Sequence, residues 1–85
     1  MKEFTYKISD ELGIHARPAG QLVKKAQEFS SGMKIYKDEK SADLKHLFAV
    51  MGLGVKKGDT VRVTAEGQDE DTAILETEGF FRNNL

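Results

Sequence analysis

Only two of the 85 residues are histidines, and one of them, His15, stands in the run Gly13-Ile14-His15-Ala16-Arg17-Pro18. An imidazole with an unblocked ring nitrogen is a nucleophile able to carry a phosphoryl group. Arg17, just beyond it, is a permanent cation whose planar fork suits phosphate oxygens. Pro18 is tolerated in the first turn of a helix, where its missing N–H would have had no partner, and Ala19, Leu22, Val23 and Ala26 then recur at helical spacing. A helix start at Pro18 seats His15 at or just before the N-terminus, beside unpaired amides and the positive end of the helix dipole. The amides of Ala16 and Arg17 are the nearest donors. Phosphoryl transfer asks for a nucleophile, neutralisation of the equatorial oxygens and an in-line approach, and these groups together can supply all three. Gly13 lets the backbone turn sharply before the ring, although a loop glycine is more often plain turn chemistry.

The elements that must position this run are written in the hydrophobic pattern. Phe4, Tyr6 and Ile8 alternate with Glu3, Thr5 and Lys7, a strand with one buried face. Turn formers from Ser9 to Gly13 precede the first helix, and Ser30-Ser31-Gly32 ends it after Phe29. Met33 and Ile35 open a second strand, Asp38 and Glu39 turn the chain, and Lys40 to Asp43 forms a polar partner strand suited to a sheet edge. Leu44 to Leu53 reads as a short second helix closed by Gly54 in the left-handed conformation. After a turn at Lys56 to Asp59, Val61, Val63 and Ala65 make the last strand. Asp69 is then a candidate N-cap for a C-terminal helix whose buried stripe is Ala73, Ile74, Phe80 and Phe81. The order βαββαβα predicts an α+β fold, a single domain over residues 1–85 with helices laid on one face of a four-stranded antiparallel sheet.

Bulk composition excludes several classes of function. With 13 Lys plus Arg against 14 Asp plus Glu, the net charge of −1 leaves no footprint for wrapping nucleic acid or lying on an anionic membrane. The absence of cysteine removes disulfides, thiolate nucleophiles and Cys-based zinc sites. No apolar run approaches the roughly 20 residues needed to span a bilayer, so no direct membrane insertion is expected and the chain reads as cytoplasmic. A metal site from His15 and His46 alone would need carboxylates and would be labile, so neither metal nor cofactor is expected.

The motif His15-Ala16-Arg17-Pro18 after Gly13 resembles that of the histidine-containing phosphocarrier (HPr) family of the bacterial phosphoenolpyruvate-dependent sugar phosphotransferase system. Asp43-Leu44-Lys45, Val50-Met51-Gly52-Leu53-Gly54-Val55 and Lys57-Gly58 resemble the family's second-helix segment, and the likeness covers essentially the whole chain. The resemblance implies an open-faced β-sandwich in which four antiparallel strands carry three helices on one side. It implies that His15 accepts phosphate on Nδ1 from phospho-enzyme I and hands it to the IIA domain of a sugar-specific enzyme II, with Arg17 holding the phosphate. Such a protein is a monomeric carrier, a stoichiometric substrate of its partners and not an enzyme. Leu47, Phe48 and Met51 match an exposed apolar docking patch, with Lys24 and Gly54 also at partner-binding positions. By periodicity alone these apolar residues would be helix core, yet Leu44, Val50 and Leu53 can fill the inward face and leave them surplus. For Lys24, an ordinary solvated lysine is an equal reading.

The chain departs from the family where many members carry a regulatory serine: His46 stands there, and a serine-directed kinase has no hydroxyl to use. Nothing like Arg17 and Pro18 accompanies His46, so a surface or capping role is expected for it. Thr77 occupies a place where a core leucine is commoner, which with Gly79 predicts a less firmly anchored last helix. The chemistry of His15 alone would equally serve a relative working in a nitrogen-linked or regulatory phosphorelay.

Overall fold

Alternating apolar residues on three short segments and a polar edge strand bring β1 (Lys2–Lys7), β2 (Gly32–Lys37), β3 (Lys40–Asp43) and β4 (Thr60–Glu66) into one antiparallel sheet of order β1-β4-β2-β3. A computed structural model describes all 85 residues. The register pairs Phe4 and Ile35 with Val63, Tyr6 with Val61, Met33 with Ala65 and Ala42 with Ile35, so these side chains share one face. That face is the core, because a half-buried sheet must cover its apolar side. Three helices cover it: α1 (Ala16–Ala26), α2 (Leu47–Gly52) and α3 (Glu70–Asn84). α3 lies against β1 and β4, α2 meets β3, and α1 packs on both of the other helices. The architecture is the open-faced sandwich expected, with the opposite face left to solvent. There the Arg62 guanidinium sits 4.2 Å from the Tyr36 ring centre and 3.2 Å from Glu3 Oε1.

α1 buries Pro18, Ala19, Leu22, Val23 and Ala26, the stripe its spacing predicts. α2 is shorter than Leu44–Leu53. The Leu44 amide donates to Met33 O at 2.9 Å, extending the sheet ladder, while Asp43 accepts from the amides of Lys45 and His46 in a turn. Backbone groups so engaged cannot enter a helix, which therefore starts at Leu47. Leu44, Val50 and Leu53 are nonetheless buried as expected, and Gly54 adopts φ 64° at the helix end.

The buried stripe of α3 is Ala73, Thr77 and Phe81; Ile74 and Phe80 reach the core only in part. Phe81 is fully enclosed and meets Phe4 and Tyr6 edge-to-face at 5.4 and 5.6 Å, so its truncation to alanine would cost about 3–5 kcal/mol. The Thr77 hydroxyl is buried without a hydrogen-bond partner. At the start of α3, Asp69 occupies the N-cap position but does not cap. Its carboxylate instead accepts from the amides of Ser30 and Ser31, both at 2.9 Å, and from the Ser31 hydroxyl. The Ser31 hydroxyl first, then the Ser30 amide, lowers the Asp69 carboxyl from 3.8 to about 2.

Candidate functional site

α1 begins at Ala16, earlier than Pro18, because proline in the first turn gives up only an amide that would have had no partner. His15 is its N-cap residue, with extended backbone (φ −91°, ψ −178°), and its carbonyl accepts from the Ala19 amide at 2.9 Å. The imidazole makes no capping hydrogen bond and is 36% exposed. Ala16 and Arg17 are the first two helical residues, so their amides lie outside the intrahelical ladder and face the helix entrance as donors.

Gly13 sets the approach to the ring. Its φ of 66° lies in the left-handed region, and a Cβ there would overlap the Val55 carbonyl and lie 2.7 Å from Lys56 Cα. Only glycine lets the chain pass this close, and the Ile14 amide then donates to Val55 O at 3.2 Å. The supporting loop is itself fixed. Asp59 accepts from the Lys56 amide at 2.8 Å and pairs with Lys37 at 3.1 Å, contacts that hold its carboxyl below the usual carboxylate range. Lys37 also donates to the Gly54 carbonyl at 3.0 Å.

His15 opens onto a cleft of about 260 Å³ that it lines with Asp10, Arg17, Pro18, Gln21 and Asn84. The structure thus brings His15, Arg17 and Pro18 together as expected and adds three residues that the sequence did not single out. Gln21 could have been found, since it is one turn beyond Arg17 on the same helix face. Asn84 could not, because the folding back of α3 brings it there, and Asp10 stood only as one of the turn formers before α1. Asp10 Oδ1 stands 3.9 Å from His15 Nε2. No three His, Asp or Glu side chains converge anywhere as a metal-binding group would require. The arrangement provides a nucleophile, a cation and amide donors around one anion-sized opening.

Phe48 is 85% exposed and Met51 is exposed, whereas Leu47 packs partly against the core. The periodic reading of these residues as ordinary core fails for Phe48 and Met51. Lys24 is exposed in the last turn of α1 and does not line the His15 cleft. Neighbouring Lys25, by contrast, is tied to Glu76 at 2.8 Å, which raises its pKa. His46 is the N-cap residue of α2, largely exposed, and caps nothing with its ring.

The family model for the PTS HPr component phosphorylation site matches residues 2–83. The chain belongs to the HPr family. It is 48% identical over 74 residues to the phosphocarrier protein HPr of Lysinibacillus sphaericus, covering 87% of this chain and 84% of that protein. Against HPr of Mycoplasma capricolum the identity is 42%, with 87% and 83% covered. Among solved structures, a mycoplasma histidine-containing phosphocarrier protein superposes with a TM-score of 0.94 at 36% identity, over 96% of this chain and 93% of that one. HPr of Thermoanaerobacter tengcongensis gives 0.93 at 40% identity, over 98% and 93%, and an HPr dimer from the same organism gives 0.78 at 40% identity, over 98% and 95%. The chain is accordingly a phosphocarrier of the phosphotransferase system and not a catalyst. No helix is long and apolar enough to cross a membrane.

Proposed function

We propose that His15 is the phosphoryl-carrying residue, accepting the group on Nδ1 from phospho-enzyme I and passing it to enzyme IIA domains of sugar permeases. One observation carries this reading: His15 is exposed at the entrance of α1, in a cleft shared with the Arg17 side chain. The guanidinium and the Ala16 and Arg17 amides neutralise the phosphoryl oxygens as charge builds on them. Phe48 and Met51, with Leu47 beneath them, form the apolar docking patch, bordered by Lys24 and Gly54. Such exposure of large apolar side chains in a small domain is costly unless a partner covers them. An open patch is also why the working unit is a monomer; a second copy seated on it would block both partners. The carrier works in the cytoplasm, as one domain over residues 1–85.

The test is to incubate the protein with enzyme I and ³²P-labelled phosphoenolpyruvate and to map the acid-labile phosphate. Label on the peptide containing His15, discharged by a IIA domain, is expected. Label elsewhere overturns the assignment.

A further inference from the structure

Asp10 is the acidic side chain nearest the His15 ring, and the fold fixes it from several sides. Its amide donates to Leu85 O at 2.8 Å, beside the Ser9 amide at 2.7 Å and the Ser9 hydroxyl at 3.1 Å on the same oxygen. Its own carbonyl accepts from the Gly13 amide at 3.0 Å, and its Oδ1 accepts from the Leu12 amide at 2.8 Å. A carboxylate in a loop before a helix would ordinarily swing into water or cap the helix. This one does neither: Oδ1 stands 3.9 Å from Nε2 of His15, wider than a hydrogen bond but within electrostatic reach of the ring, and both residues line one cleft.

We propose that Asp10 is a positioning residue for phosphoryl transfer, its negative charge favouring the His15 proton on Nε2 and so leaving the Nδ1 lone pair free. The inference rests on the reading of His15 as the carrier. In the accepting step the Nδ1 lone pair forms the new N–P bond, while the donor's bond to phosphorus breaks and its electron pair stays with the donor. Nε2 keeps its hydrogen, so the ring becomes formally cationic as it gains the phosphoryl group. The Asp10 carboxylate faces that developing positive charge from the Nε2 side, while Arg17 faces the negative oxygens from the other. In the donating step the P–Nδ1 bond breaks, its electron pair returns to the ring and the charge disappears. A carboxylate that orients a histidine and answers its transient charge is a division of labour known from hydrolytic triads. Here it is served by a loop that α3 ties down.

Asp10→Asn is the informative variant, because an amide oxygen still accepts from the Leu12 amide and keeps the loop turn while the charge is lost. Two quantities are read: the His15 tautomer, from ¹⁵N shifts of the unphosphorylated protein, and the rate of labelling by phospho-enzyme I. Wild type is expected to hold the Nε2–H tautomer. Asp10→Asn is expected to gain Nδ1–H form and to accept phosphate about tenfold more slowly, the low end of what losing a histidine's orienting partner costs. A purely structural Asp10 would leave the tautomer where it was, and that result overturns the proposal, as does an unchanged rate. His15→Ala is run alongside. If it still takes up label the carrier assignment fails, whereas the tautomer comparison judges Asp10 without any phosphate present.

Discussion

The entrances of α1 and α2 are alike in composition and unlike in surroundings. Each has a histidine at the N-cap with extended backbone and no capping hydrogen bond, and in each Nε2 lies 3.9 Å from an aspartate, Asp10 for His15 and Asp43 for His46. The differences lie around the ring. α1 runs for 11 residues and α2 for 6, so the first can align more peptide dipoles behind its entrance. Arg17 shares a cleft with His15. The cation nearest His46 in sequence, Lys45, is turned away to donate to Phe29 O at 2.7 Å. His46 is 72% exposed against 36% for His15. A histidine beside a carboxylate at a helix start is therefore only half of the site proposed for His15; a cation in the same cleft and a shaped opening make the rest.

The most severe way to break this contrast is to exchange the two rings for alanine. His15→Ala is expected to abolish acid-labile phosphate with the circular dichroism spectrum unchanged, while His46→Ala labels within about twofold of wild type, since it touches no group that meets the phosphoryl oxygens. Comparable loss from both variants would erase the distinction. Next in size, Arg17→Ala should fold normally and slow transfer by about 10²-fold, the scale on which removing one fixed charge partner acts. Rapid-quench kinetics measure it, and an unchanged rate would remove the cation from the comparison. Gly13→Ala tests the close backbone approach behind His15. It forces a side chain into a left-handed backbone against the Val55 carbonyl and should lower stability by about 3 kcal/mol in urea unfolding.

The smallest effect concerns the third helix start, where a carboxylate and not a histidine makes the contact. The Asp69 carboxyl falls from 3.8 to about 2 on folding, so its contribution is whole above 3.8 and disappears as pH drops through about 2. In Asp69→Asn the acid-unfolding curve should lose steepness between those values, and the gap from wild type should close as pH falls. A parallel pair of acid titrations would contradict this role for the Asp69 contacts with Ser30 and Ser31.

Much of this was readable in the chain. Period-two alternation located three of the strands and the turn at Asp38 and Glu39 the fourth, and Pro18 with the Ala19-Leu22-Val23-Ala26 stripe placed His15 at a helix entrance, because these signals are local. Leu44 misled: it is a good helix former, but its amide belongs to the sheet ladder through Met33, and propensity yields to tertiary hydrogen bonding. The stripe of α3 was misjudged at Ile74 and Phe80 because apolar type was weighed above phase, while Thr77, polar by type, takes the buried position between Ala73 and Phe81. Asn84 and the bond from Ser31 to Asp69 were beyond reach, since residues far apart in the chain meet only once the sheet has closed, while Asp10, near in sequence, reads as one turn former among several until the loop's path is known.

α3 is fastened at two points, by Asp69 to Ser30 and Ser31 and, past its last turn, by Leu85 to Ser9 and Asp10. A rod pinned at both ends must have the right length. One residue added or removed between the pins would shift its far end by about 1.5 Å and rotate it by about 100°. Phe81 would then miss Phe4 and Tyr6, Asn84 would leave the cleft and the loop holding Asp10 would lose its anchor. The span of the last helix is thus a dimension of the cleft beside His15, set by a segment far from it in sequence.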